Sequence, residues 1–421
     1  MAIHENRESG RSREIRPGTR LLPIMAVVFV AFLVIGLAMP VLPLHVHERL
    51  RFGTFVVGLV AGSQFGAALL SRPWAGHYAD RRGPKRAVIL GLVAAAASGL
   101  LYLLSLWFFR APLISITILL FGRALLGAAE SVIITGSVIW GLALVGQKST
   151  GKVIAWVGAA MFGAFAIGAP IGSTLYAGDG FVSIALATIF APLATLLLAA
   201  ALPHVSPLHQ ARPSFIRVMG AVSVPGIGAA LSSVGFGAIT AFVVLLFAQQ
   251  GWSRAWLAYT SFTTAFILAR LVFGHLPDRI GGAKVALICV LIQAAGLALI
   301  WRADRTEVAL AGAVLTGIGY SLVYPGLGVE AVRRVPPESR GLAMGAYTAF
   351  LDLALGLGTP ALGLVAGAVG LGAAFLVSAA AALGAAAVAA RLLMEPRSLG
   401  GPALAALMAR NQTMGAQCVN K

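Results

Sequence analysis

Two ionisable side chains in one long apolar stretch could together handle a proton. Arg123 and Glu130 are seven residues apart, so a helix would hold both on one face, about 10 Å from each other. A charge inside a membrane costs about 2.5 to 3.5 kcal/mol on insertion scales, so each of the two needs a partner or a role. Burial disfavours a charged carboxylate and a nearby guanidinium favours it, so Glu130 could change protonation as its surroundings change. A structural ion pair with Arg123 is the alternative.

Three further ionisable residues lie within apolar stretches. Asp352 is the only charge in residues 341–368 and has two interpretations, a protonation site or a hydrogen-bonded centre of helix packing. Arg72 and Arg270 lie near the ends of their stretches, so their guanidinium groups can reach the membrane surface along their aliphatic stems. The sequence therefore indicates Arg123, Glu130 and Asp352 as the proton-coupling candidates.

Uncharged polar side chains add candidates for a substrate cavity. Tyr320 and Tyr324 are one helical turn apart, and Gln64 lies in a different apolar stretch. Two tyrosines on one face could offer hydroxyl groups and stacking to a ligand, although such a pair serves packing as often as binding.

A charged hairpin occurs twice in the chain, at a constant distance of 198 residues. Arg, Gly, His, Asp, Arg and Gly all repeat at that distance, from Arg72 to Gly83 and again from Arg270 to Gly281. The residues that could act in this hairpin are Asp80, Arg81, Gly83, Arg86, Asp278, Arg279, Gly281 and Lys284. Each copy follows an apolar run and opens another, which indicates a duplicated membrane unit.

The composition requires a lipid environment. Of the 421 residues, 59% are apolar and only 11% are charged, and the mean hydropathy is +0.91. Soluble domains carry about 25% charged residues. Runs of about 20 apolar residues cross a bilayer as helices, because only a helix or a closed barrel satisfies the backbone there. The sequence predicts twelve such spans, at 21–44, 54–78, 86–107, 112–140, 152–176, 181–202, 221–248, 255–276, 284–301, 308–332, 341–368 and 373–394.

The spans divide into two halves of six. A second set of repeats, 190 residues apart, relates Gly168 to Gly358 and Pro170 to Pro360, which places span 5 opposite span 11. The longest polar connector, 204–217, follows span 6. We therefore expect an all-α integral membrane protein with two pseudo-symmetric six-helix halves. Its predicted parts are a cytoplasmic segment 1–20, a first half 21–202, a cytoplasmic linker 203–220, a second half 221–394 and a cytoplasmic tail 395–421.

The basic residues predict the orientation. If the N-terminus is cytoplasmic, that side holds 22 Lys and Arg and the opposite side holds 6, so both termini are expected in the cytoplasm of a multi-pass inner-membrane protein. The net charge of +17 comes from short connectors and does not indicate nucleic-acid binding. Two separate cysteines and the lack of a spaced ligand cluster predict no disulfide, metal or cofactor.

These features resemble the major facilitator superfamily. Gly76 to Arg86 is similar to its motif between helices two and three, and the stretch from Phe121 to Gly127 is similar to its helix-four motif. The stretch around Gly163, Gly168, Pro170 and Gly172 is similar to the helix-five motif of exporters, with Ala169 where that motif has Gly. Within the superfamily the chain most resembles sugar- and drug-efflux permeases of the arabinose-efflux type.

The resemblance implies a secondary active transporter that works by alternating access, without a cofactor, as a monomer. It implies that Asp80 meets the start of span 11 near Ser339, and that Asp278 meets the start of span 5 near Ser149, as clasps that steady one state. A basic hairpin that only sets topology is the alternative. Proton-driven export of a small organic molecule is the leading hypothesis, proton-coupled uptake is the nearest rival, and a membrane enzyme or receptor is remote. The glycine-rich span 5 could bend at Pro170 or simply pack closely.

Overall fold

The computed structural model describes residues 17–146, 150–205, 215–336 and 340–395, which are almost wholly helical. Twelve helical segments in this part of the chain are long and apolar enough to cross a membrane, as predicted. Spans 1 to 6 are formed by Pro17–Ala38 with the short turns Leu42–Leu44 and His45–Arg49, then Thr54–Arg82, Pro84–Trp107, Pro112–Val145, Thr150–Asp179 and Phe181–Ala201. Spans 7 to 12 are formed by Phe215–Gln249, Trp256–Phe273 with the short helix Leu276–Ile280, Gly282–Arg302, Thr306–Ser321 with Val323–Arg333, Arg340–Val369 and Leu371–Met394.

The two copies of the charged hairpin differ in their helices. Span 2 continues unbroken to Arg82 and stops at Gly83, whose φ of +91° favours glycine. Span 8 instead ends at Phe273 and resumes as a short helix at Leu276. Pro277 explains this break, because proline has no backbone N–H to continue the helix and is tolerated in a first turn. The first copy has Ala79 at the equivalent position.

Span 10 is also interrupted, at Leu322. Pro325 cannot donate a backbone hydrogen bond to the carbonyl of Ser321, so the first helical segment ends there and a second begins. Tyr320 and Tyr324 therefore lie on opposite sides of the break.

Close helix contacts show that the two halves share one scaffold. A Cβ at Gly127 would collide with the backbone of Gln64, and a Cβ at Gly317 would collide with the backbone of Phe262 in the same way. Gly127 and Gly317 are 190 residues apart in the sequence, and their partners Gln64 and Phe262 are 198 residues apart. The same offsets relate the packing of Gly122 on Tyr102 to that of Gly312 on Ile300. Spans 2 to 4 and spans 8 to 10 thus pack as copies of each other.

The halves meet along spans 2 and 11 and along spans 5 and 8. Away from the two charged hairpins, the Thr54 hydroxyl donates a 2.7 Å hydrogen bond to the carbonyl of Gly363. On the same side the Tyr259 hydroxyl lies 2.6 Å from the sulfur of Met39. These hydroxyl contacts join the two halves on the side opposite the hairpins, where a Cβ at Gly363 would also collide with the backbone of Thr54.

Candidate functional site

Glu130 accepts a hydrogen bond from an amide. Nε2 of Gln64 lies 2.6 Å from Oε2 of Glu130. Gly127, one turn before Glu130, makes this possible, because its missing side chain lets span 4 rest directly on the backbone of Gln64. The other amide atom, Oε1 of Gln64, is buried and has no partner in the described residues. Gln64 and Glu130, predicted as a cavity residue and a coupling residue, are therefore one hydrogen-bonded pair.

Asp352 bonds to the opposite half of the molecule. Nε of Arg72, on span 2, lies 2.5 Å from Oδ2 of Asp352, on span 11. The side chain of Asp352 is 9% exposed and that of Arg72 is 21% exposed, so the pair is largely shielded from water. The position of Arg72 near a span end had suggested that its guanidinium reaches the membrane surface. It instead turns inward to Asp352. Arg72, Asp352 and Glu130 lie within electrostatic range of one another.

Arg123 and Glu130 do not form the ion pair considered from the sequence. Arg123 is buried, and its Nη1 lies 3.4 Å from the hydroxyl of Tyr102 on span 3. Its Nε has no partner among the described residues. Although the two share span 4, they use different neighbours, and the carboxylate turns toward span 2.

The two tyrosines of span 10 use different partners because the helix breaks between them. The hydroxyl of Tyr320 lies 3.1 Å from that of Ser233 on span 7. The hydroxyl of Tyr324 lies 2.7 Å from that of Thr348 on span 11. The ring of Tyr320 also stacks on Phe236, with centroids 5.6 Å apart. Tyr320 thus belongs to an aromatic cluster, while Tyr324 joins spans 10 and 11.

The glycines of span 5 pack within the first half. Cβ atoms at Gly168 and Gly172 would collide with the backbone of Gly36 and Leu37 on span 1, whereas Gly163 has more room. The helix Thr150–Asp179 continues through Pro170 without interruption. The structure therefore shows close packing at this motif, which was one of its two predicted roles.

The residues predicted to act as clasps lie at the two hairpin turns. Gly83 and Gly281 adopt φ values of +91° and +97°, which end one helix and allow the next to begin. Arg86 and Lys284 lie in the first turns of spans 3 and 9, while Arg81 and Arg279 are exposed near the ends of the preceding helices. The predicted partners Ser339 and Ser149 lie outside the described residues.

Sequence reasoning did not pair Arg72 with Asp352 or Gln64 with Glu130. The repeat offsets carried partial information, because Arg72 and Arg270 correspond at 198 residues. Applied to Asp352, the 190-residue offset leads to Phe162, which has no charge. The two arginines therefore cannot have equivalent partners, and Asp352 is available to only one of them.

The comparisons with known proteins agree with this architecture. The family model described as Major Facilitator Superfamily matches residues 24–258 and 225–408. The chain belongs to this superfamily. An uncharacterized MFS-type transporter of Salmonella typhimurium is 44% identical over 375 residues, which cover 89% of this chain and 97% of that protein. A second, from Burkholderia pseudomallei, is 42% identical over 392 residues, covering 92% and 95%.

Solved structures share the fold at low sequence identity. A mutant of the nucleoside transporter NupG has a TM-score of 0.72 and 15% identity, with 89% of this chain and 99% of that one covered. A D-xylose-proton symporter has a TM-score of 0.72 and 14% identity, with coverage of 87% and 97%. Membership of the superfamily and the relatives named as MFS-type transporters, rather than these structures, show that the protein is a multi-pass secondary transporter and not an enzyme, which confirms the broad prediction. The arabinose-efflux type is not confirmed by these relatives.

Proposed function

We propose that this secondary transporter exports a small organic molecule in exchange for protons. The observation that carries the proposal is the bond between Arg72 and Asp352 across the two halves, with Glu130 in electrostatic range. Protonation of Asp352 would remove the negative charge that holds Arg72. Because the pair joins spans 2 and 11, the loss of that charge weakens the contact between the halves and favours their separation at this level.

Glu130 has a neighbour suited to both of its protonation states. The amide NH₂ of Gln64 donates to the ionised carboxylate, as found here. The unpartnered Oε1 of the same amide can accept a hydrogen bond from the protonated acid after a rotation of the side chain. The Glu130 carboxyl group can thus be hydrogen-bonded in either form and can gain and lose a proton without losing its partner, which is what a coupling site requires.

The proposed orientation follows the basic residues. With 22 Lys and Arg on the hairpin side against 6 on the other, we place the hairpins and both termini in the cytoplasm of a bacterial cell, with the spans in its inner membrane. The side on which Thr54 bonds to Gly363 then faces outward. We further propose that Asp80 and Asp278 act as cytoplasmic clasps on the starts of spans 11 and 5.

Oriented membrane vesicles test the direction and the coupling together. The first step is a thermal-stability screen of the purified protein, and the best stabilising compound is then radiolabelled. In inside-out vesicles with an acidic lumen, a proton-driven exporter accumulates the compound, and a protonophore abolishes the accumulation. Accumulation only in right-side-out vesicles with acid outside would indicate uptake by symport. Equal movement with and without a pH difference would contradict proton coupling in either direction.

A further inference from the structure

The two arginines related by the repeat have unequal partners. Arg72 bonds to Asp352 on span 11 of the other half. Its counterpart Arg270 projects toward span 5 of the other half, where the position equivalent to Asp352 is Phe162. Among the described residues no carboxylate lies within salt-bridge distance of Arg270. The second half thus keeps the cation of this pair without its internal anion.

The ring of Phe266, which belongs to an aromatic cluster, lies next to Arg270 in place of a carboxylate. The guanidinium carbon of Arg270 lies 6.0 Å from the centre of the Phe266 ring. Phe162 stacks directly on Phe266, with their ring centres 3.9 Å apart. The ring of Tyr320 follows, 5.8 Å from Phe266. The guanidinium is therefore directed into the junction of the halves, where Nη2 comes within 4.0 Å of a Cβ built on Gly158.

A guanidinium in such a place favours an anion. A cation–π contact contributes about 0.5 to 2 kcal/mol, less than the cost of an interior charge. An arginine presents paired donors that match a carboxylate or phosphate, and flat apolar groups stack on neighbouring rings. We propose that Arg270 binds the anionic group of the transported molecule, and that this molecule is an organic anion whose apolar body packs on the half-buried ring of Phe162. This inference rests on the proposed transport function.

Matched probes of different charge test the substrate class. The purified full-length protein is mixed with sets of three compounds that share one apolar body and carry a carboxylate, an alcohol or an amine. One such set is phenylacetate, 2-phenylethanol and phenethylamine, and further sets use larger ring systems. We expect the carboxylate of at least one set to raise the melting temperature most. Stronger stabilisation by alcohols or amines, or the absence of any response to carboxylates, would overturn the proposal.

Two substitutions link the response to Arg270. Arg270→Gln should weaken the stabilisation by the carboxylate at least about tenfold in apparent affinity, through loss of a charge-assisted bond. Arg302→Gln is the matched control, because Arg302 also lies over an aromatic ring, 5.5 Å from the centre of Trp301, but at the opposite end of its half. An unchanged response in Arg270→Gln would contradict the assignment.

A third substitution supplies the missing anion. In Phe162→Asp, the new carboxylate should pair with Arg270, as Asp352 pairs with Arg72, and should abolish the response to added carboxylates. The melting temperature of this variant without ligand should be no lower than that of Phe162→Leu. Phe162→Leu should keep the response, since it adds no charge. A Phe162→Asp protein that melts like Phe162→Leu and still binds the carboxylate would refute the idea that Arg270 is available to an external anion.

The transport and binding experiments together distinguish a failure of the anion site from a failure of proton coupling. Proton-driven accumulation of a cationic or neutral compound, with full activity in Arg270→Gln, would remove the anion site and leave proton-coupled transport intact. Carboxylate binding that depends on Arg270, in vesicles that show no response to a pH difference, would support the anion site and contradict proton coupling.

Discussion

The two halves have the same helix packing and different interior chemistry. In the first half, Gly127 brings span 4 onto span 2 and places Glu130 against Gln64. In the second half, Gly317 brings span 10 onto span 8 in the same way, but the equivalent residues are Tyr320 and Phe262, whose rings lie 6.3 Å apart. The glycines of the contact are retained while the polar pair is replaced by an aromatic one.

The arginine pairs extend this contrast. Arg72 has Asp352 as its partner, and Arg270 has Phe162 at the equivalent place. Glu130 and Asp352 therefore both lie near Arg72, and Arg270 is left beside the ring of Phe266. Close backbone approach is a requirement of the duplicated scaffold, so it is the same in both copies. Charge is not required by the scaffold, and its uneven distribution divides the proposed tasks, with proton handling at one site and anion binding at the other.

The largest effect is expected at Glu130. Glu130→Gln keeps the size and hydrogen-bonding capacity of the side chain but removes its proton exchange, so proton-driven accumulation should fall to the equilibrium level. Downhill exchange should persist, because it needs only the alternating motion. Tyr320→Phe, at the equivalent position of the second half, should keep accumulation. Uptake of the radiolabelled compound into oriented vesicles is measured for the unmodified protein and for both variants. A Glu130→Gln protein that still concentrates the tracer would exclude Glu130 as the coupling group and direct the same assay to Asp352.

An intermediate effect on stability should distinguish the two arginines. Asp352→Asn leaves Arg72 without its anion and should lower the free energy of unfolding by about 2 kcal/mol, below the 3 to 5 kcal/mol of a fully buried pair because Arg72 is 21% exposed. The double variant Arg72→Gln with Asp352→Asn should recover most of the loss. Arg270→Gln, which breaks no ion pair in the described residues, should cost less.

Denaturation of the purified variants in detergent provides these values. Equal stability of Asp352→Asn and the unmodified protein would mean that the pair contributes nothing in this state.

The smallest effect is expected at the hairpins. Asp80→Asn should slow transport about fivefold, through loss of a charge-assisted contact of about 1 kcal/mol, while insertion into the membrane stays normal. Asp278→Asn should have a smaller effect, because Asp278 is exposed on a short helix that Pro277 separates from span 8. Initial transport rates, normalised to the protein in the membrane, compare the two. Wild-type rates in both variants would leave the hairpins a purely topological role.

Much of the fold could be predicted because the membrane permits few solutions. Apolar runs of about 20 residues had to be helices, and the repeated hairpin had to lie between equivalent spans. The breaks in spans 8 and 10 were not predicted, although Pro277 and Pro325 are visible in the sequence, since proline also occurs inside intact helices here, as Pro170 does.

The site was predicted in its residue types and not in its pairing. Glu130 and Asp352 were recognisable because an interior charge is costly. Helical spacing suggested Arg123 as the partner of Glu130, but spacing along one helix says nothing about what neighbouring helices offer. Gln64 and Arg72 are brought in by tertiary contacts, above all by the close approach at Gly127.

The contacts on the side away from the hairpins have a consequence for ionic conditions. The Thr54 hydrogen bond to Gly363 and the Tyr259 contact with Met39 join uncharged groups, and no ion pair joins the halves there within the described residues. Dissolved salt screens charges and leaves such contacts almost unchanged. The strength of these contacts should therefore be nearly independent of ionic strength, and dissolved salt should act on the change of state through the charged groups nearer the hairpins, such as Arg72 and Asp352.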